Sequence, residues 1–329
     1  MSWKNYCVGR VMMSMPEDRK FTWTNAFDTA EVKRLPPMSE QKFWDGVETV
    51  RKRYLAQTHY DVPTRLAHFD KVGKNAAFVF YYDNEATLWG PVLERYAYLD
   101  SDHAYEMSTG SLGTKGQVPT PALFQPYVQL YTPILESIHP LKAGQFPNRD
   151  GFCVDGAVVS GDTGRNASAG LISEIAFGTE LVVTYRENLY KVVIYNGMED
   201  LKYDEDRAKI MLVDGGPEDF KDFKVLRKRD RTLAGLAGQE FVTHTTLNNG
   251  HTYYRMQWTI KGALNGGVLK PSIVVHLNTP ATAIEAATGK PYDKLPPEPE
   301  LLKLWDYALS TFKWRVGALP DGQQIQVVN

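Results

Sequence analysis

Apolar residues recur along this chain at two spacings. Over Met38–Thr58, Phe43, Val47, Val50 and Tyr54 return every three or four residues behind Ser39, a residue suited to an N-cap, and this predicts an amphipathic helix. Leu301, Leu304, Trp305, Ala308, Leu309 and Phe312 make a second such stripe within Glu300–Arg315. A third helical period spans Pro121–Ile138, where Pro126 and Pro133 predict a kink or two short pieces. Elsewhere the pattern is short, alternating or β-branched. Strands are expected at Asn5–Met15, Phe21–Thr24, Lys71–Tyr82, Leu93–Met107, Phe152–Val159, Ser168–Phe177, Glu180–Arg186, Lys191–Tyr195, Lys209–Val213, Phe223–Arg229, Gln239–Thr246, Thr252–Ile260 and Ser272–Asn278.

Strands cluster without regular alternation with helices, so the expected class is α+β, with two domains of mainly antiparallel sheet and packed helices. A loop rich in turn formers, Lys142–Asp150, suggests the division: 1–147 and 148–329. Phe152–Val159 and Ala169–Phe177 flank a polar turn and read as the opening hairpin of the second domain. Tyr6-Cys7-Val8 and Phe152-Cys153-Val154 open the two halves alike, and each half closes with a Leu-rich helix. An internal structural duplication and chance similarity both remain open.

The 329 residues are 43% hydrophobic and 23% charged, ordinary for a globular protein with a full core, and the net charge of −2 argues against a nucleic-acid partner. The densest basic run, Lys224–Arg231, reads as a solvated face. No window is apolar enough for membrane insertion. The N-terminus shows no export signal, so a periplasmic location would require that a signal has been removed; the alternative is cytoplasmic.

Candidate chemistry is sparse. His103 follows Asp100 and Asp102, but no second ligand cluster accompanies them, so neither a metal site nor a cofactor site is assigned. Gly161 and Gly164 with Asp162, Thr163, Arg165 and Asn166 form the most phosphate-like loop, yet Asp162 opposes an anion; the loop reads as a turn that could touch a partner. Cys153 lacks a nameable base, which leaves a buried or disulfide-bonded cysteine. Glu240 precedes Phe241-Val242 with Arg231 as its candidate partner. It is either a fold-determining ion pair or an acid/base carboxylate, and with no second carboxylate at defined spacing the pattern favours structure.

These residues, taken in order, resemble the immunity proteins that neutralise type VI secretion phospholipase effectors of the fourth lipase class. The resemblance is carried by Cys7-Val8-Gly9-Arg10, Gly151-Phe152-Cys153-Val154-Asp155-Gly156, Arg231 through Gly235 and Gly238 to Glu240, Trp258, Pro271–Leu277, and Trp305-Asp306 followed by Ser310 and Arg315. It implies a claw-like, non-enzymatic inhibitor with no catalytic residues and no small-molecule substrate. Such a protein grips the lid of a cognate lipase effector in the periplasm. With each cysteine at the start of its half, a Cys7–Cys153 disulfide is expected. The competing readings are an envelope hydrolase using Glu240 or the Asp100-Asp102-His103 cluster, and a small-ligand-binding module.

Overall fold

A computed structural model describes residues 2–17, 19, 21–27, 30–59, 62–83, 91–109, 120–142, 145–161, 167–176, 179–187, 220–248, 250, 252–263, 267–279 and 296–318. The chain gathers into two units: Met1–Trp23 with Asn166–Asn329, and Thr24–Arg165. The expected division at 147/148 falls inside the second of these. The first 23 residues belong instead with the C-terminal half.

In the first unit, β1 (Trp3–Val8) and β2 (Val11–Pro16) form a hairpin across Gly9-Arg10, and β18 (Lys313–Trp314) pairs with β2. The stretch read as one strand, Asn5–Met15, is therefore two. The larger sheet follows the order β14 (Phe220–Leu233), β15 (Leu236–Leu247), β16 (Thr252–Ile260), β17 (Ser272–Asn278), β13 (Thr179–Glu187), β12 (Ala167–Ala176), each pair antiparallel. Helix α3 (Glu298–Ser310) buries Leu301, Trp305, Ala308 and Leu309 of the predicted stripe, while Leu304 is half-buried and Phe312 lies past the helix end, where the expected helix gives way to β18. Trp258 and Trp305 are wholly buried, and full burial of side chains this large stabilises by roughly 2–3 kcal/mol each.

In the second unit, the end of β3 (Phe21–Phe27) pairs with β4 (Ala30–Arg34), and the order continues through β8 (His103–Thr109), β7 (Val92–Asp100), β6 (Ala76–Tyr81) and β5 (Leu66–Val72). Lys71–Tyr82 and Leu93–Met107, each read as one strand, hold hairpin turns because Gly73 and the Asp100–His103 segment reverse the chain. Helix α1 (Glu40–Ala56) starts where expected: the Lys42 N–H donates to the Ser39 hydroxyl at 3.3 Å. Its Phe43, Val47 and Tyr54 pack on Ala77, Val79 and Tyr96. Helix α2 (Pro121–Glu136) is unbroken despite Pro126 and Pro133. Both prolines lie on its exposed face, where the carbonyls they leave unpaired can be hydrated.

The stretch Phe152–Phe177 is not one hairpin. Its first run is itself a tight hairpin, β10 (Phe152–Val154) with β11 (Ala157–Val159), extended by β9 (Ile138–Pro140). Its second run enters β12, in the other unit. The two-residue turn Asp155-Gly156 reverses the chain much earlier than the anticipated loop at 160–168. The strands expected at Lys191–Tyr195 and Lys209–Val213 lie outside the described residues, as do Phe177 and Asp162–Asn166.

Candidate functional site

Strand alternation aims Arg227, Arg229 and Arg231 of β14 at one face, the face covered by α3. Glu240 stands directly across from Arg229 on β15. Its side chain is fully buried, and four donors converge on its two oxygens. Arg229 Nε lies 2.6 Å from Oε2, Arg231 Nη1 is 3.2 Å from both, Arg227 Nη1 is 3.4 Å from Oε1, and the Trp305 indole N–H donates to Oε1 at 2.8 Å. Asp306, the next residue on α3, takes both Arg227 nitrogens at 2.7 and 2.9 Å and Arg231 Nη1 at 3.0 Å. Burial alone would raise the Glu240 pKa, but hydrogen bonds from Arg229 and Trp305 and the charges of Arg231 and Arg229 outweigh it and hold the carboxyl below the ordinary range. Asp306 is lowered against burial in the same way, by Arg227 and Arg231.

The Arg231–Glu240 pair expected from the sequence and the distant Trp305-Asp306 are thus parts of one network. Arg227 and Arg229 were hidden in the run read as a solvated face. The correction is geometric: a basic residue at every second position of a strand marks one side only, and here that side meets carboxylates on β15 and α3.

The glycines of the same motif serve the backbone. Ala234 and Gly235 form the turn between β14 and β15, both with positive φ (51° and 79°). A two-residue turn of this hand matches the twist of the strands it joins. At Gly238 a Cβ would meet Trp258 Cε2 at 2.7 Å, Ile260 Cγ2 at 2.8 Å and the Thr259 carbonyl at 2.8 Å, so only a bare Cα lets the Trp258 indole lie across β15 and donate to the Arg231 carbonyl at 2.8 Å.

Arg10 of the N-terminal motif is buried in the first unit against Glu187, at 2.8 Å from Nε to Oε2, with the Tyr185 hydroxyl donating to the same oxygen at 3.0 Å. Nothing local in the sequence marks Glu187 as its partner, 177 residues away. In the second unit, Gly151 precedes β10, and Gly156 packs on the Arg34 guanidinium, which reaches Asp155 at 3.4 Å. Both cysteines, Cys7 and Cys153, are disulfide-bonded, and the chain has no others.

The Asp100-Asp102-His103 cluster is occupied by its own contacts. His103 Nδ1 lies 2.7 Å from Asp100 Oδ1 and Nε2 lies 3.1 Å from the Leu141 carbonyl, so neither ring nitrogen is open to a metal or a substrate proton. Asp100 also accepts from the Asp102 N–H at 2.9 Å, a turn contact. Among the described residues no three His, Cys, Asp or Glu side chains gather around one point. The loop residues Asp162, Thr163, Arg165 and Asn166 lie outside the described residues.

Residues 145–317, more than half the chain, match the family model described as Tle cognate immunity protein 4, C-terminal domain. The chain belongs to this immunity-protein family. The matched region holds Cys153, Gly156 and the whole Arg227–Arg231, Glu240 and Asp306 network, whereas Cys7 and Arg10 precede it. Solved structures share the fold over nearly the full length. The apo immunity protein TplEi of the type VI secretion system of Pseudomonas aeruginosa is 16% identical with a TM-score of 0.76, covering 97% of this chain and 99% of that one. A chain of the Tle4–Tli4 complex is 17% identical with a TM-score of 0.77, covering 96% and 98%. TplEi complexed with an "L" peptide is 14% identical with a TM-score of 0.71, covering 95% and 98%. No curated protein matches significantly.

Proposed function

We propose that this immunity protein binds and inhibits a cognate type VI secretion lipase effector, and that it does so by occupying surface on the effector's lid rather than by chemistry of its own. The observation that carries the reading is the family match over residues 145–317 within a fold shared end to end with TplEi. Relatives with this fold are recorded in a Tle4–Tli4 complex and with a bound peptide, which supports a protein partner here. Against a hydrolase, the only buried carboxylate singled out for catalysis, Glu240, has both oxygens occupied by cations and an indole N–H. A general base must be within reach of a substrate proton, and this one is not. Antiparallel units held by a buried network such as that around Glu240 suit an inhibitor, whose affinity depends on surface that does not have to be ordered on binding.

A periplasmic site of action is part of the same proposal. Disulfides persist in oxidising compartments and are rare in the cytosol, and both cysteines here are bonded.

The test is a phospholipid-hydrolysis assay with the purified cognate effector. Activity should fall linearly with added immunity protein and vanish at a fixed stoichiometric ratio, and the immunity protein alone should release no fatty acid. Full effector activity in the presence of a micromolar excess would overturn the proposal.

A further inference from the structure

We propose that the outer edge of β5, Leu66–Val72, receives an extended acidic segment of the effector as an added strand. The inference rests on the proposed protein partner and names where and how one segment of it binds. β5 ends the strand order of the second unit, and among the described residues β6 is the only strand paired with it, the one further bond to its backbone being from the Thr64 hydroxyl to the Leu66 carbonyl at its N-terminal end. Alternate residues of an antiparallel strand turn their N–H and C=O groups away from the partner strand, so an edge offers a row of unused donors and acceptors.

Sheet edges are commonly guarded by proline, by lysine or by bulges. The stretch LAHFDKV has no proline, and its register irregularity is confined to Leu66–His68. Its one lysine is drawn onto α1, with Lys71 Nζ 3.8 Å from the Trp44 ring centroid. Both faces of the strand are anchored. Phe69 lies under Arg51 at 5.3 Å, His68 stacks on Phe124 of α2 at 5.1 Å and 5°, and Asp70 accepts from Gln125 at 3.3 Å. The backbone edge is thereby held extended in advance, which lowers the ordering cost of adding a strand. Charge selects the guest. On the adjoining α1, Arg51 and Lys52 flank Glu48 at 2.7 and 3.8 Å, with Asp45 one turn earlier, and Lys71 adds a third cation beside Trp44. An incoming segment with acidic side chains on that flank is attracted, whereas a basic one is repelled.

The experiment is hydrogen–deuterium exchange, read by mass spectrometry, on the full chain alone and in complex with the purified effector. Amides of 66–72 should exchange at least about tenfold more slowly in the complex. Independently, Arg51→Glu with Lys71→Glu should slow association about tenfold at low salt and converge towards wild type at high salt. A complex that forms while 66–72 exchanges unchanged overturns the inference and leaves the proposed function standing. Slow exchange of 66–72 in the free protein, with elution as a dimer, assigns the edge to a second copy and overturns it too. Absence of any complex removes both.

Discussion

Replacing Glu240 by Gln separates a structural role from a catalytic one. Glutamine keeps the shape and leaves an oxygen to accept from Trp305, but it removes one of the two carboxylates that balance Arg227, Arg229 and Arg231. Breaking a buried ion pair by deleting one partner costs about 3–5 kcal/mol. Two features reduce that figure here. Asp306 remains to hold Arg227 and Arg231, and Arg229, with 52% of its side chain exposed, can turn to water. The expected loss is about 2–3 kcal/mol, which for a unit of this size lowers the melting temperature by roughly 4–12 °C. Urea or thermal denaturation followed by circular dichroism measures it. A pH series adds a sign. The folded Glu240 pKa lies below its unfolded value, so its stabilisation is complete above the unfolded value, about 4.3, and drains away as pH falls through the folded one. The wild-type advantage over Glu240→Gln should therefore shrink in acid. If the variant unfolds at the wild-type midpoint and shows no change in its acid limb, the network does not stabilise the unit and the argument fails.

Three further outcomes are expected. Gly238→Ala should destabilise by about 1–3 kcal/mol and shift the Trp258 fluorescence, because its Cβ would sit 2.7 Å from the indole; a neutral result would show that β15 can move away. Ala234→Gly should stabilise by about 0.5–1 kcal/mol in urea unfolding, because alanine at φ 51° bears a left-handed strain that glycine does not. A free-thiol assay on unfolded, unreduced protein should find none, and Cys7→Ser with Cys153→Ser should cost about 2–5 kcal/mol, since the bond closes a very long loop; two reactive thiols would refute the pairing.

Local pattern made much of the fold legible. The α1 stripe, its Ser39 cap and the first part of the α3 stripe stand where the sequence places them, because an amphipathic face and a cap depend on neighbours within one turn, whereas the helix expected to reach Arg315 ends at Ser310 and Lys313–Trp314 pair with β2 instead. Most strands were legible for the same reason, but β4, β9 and β18 were not anticipated, and neither were the hairpins inside runs read as single strands. In β5–β6 and β10–β11 the turns are only two or three residues long, Gly73-Lys74-Asn75 and Asp155-Gly156, and such brief polar breaks were absorbed into a single strand although Asp-Gly is itself a hairpin signal.

The candidate site divides in the same way. Gly235 and Gly238 carry their backbone requirement in their own identity, whereas Ala234 does not, and Glu240 ahead of an apolar pair announced a buried charge. That charge's full set of partners was beyond the sequence. Arg229 meets it through strand register, Trp305 and Asp306 through the packing of a helix more than sixty residues later, and Glu187 likewise finds Arg10 across 177 residues of chain. Periodicity is a property of neighbouring residues and survives in the one-dimensional string. Pairing between distant charges is decided by which elements pack, and only the tertiary structure states that.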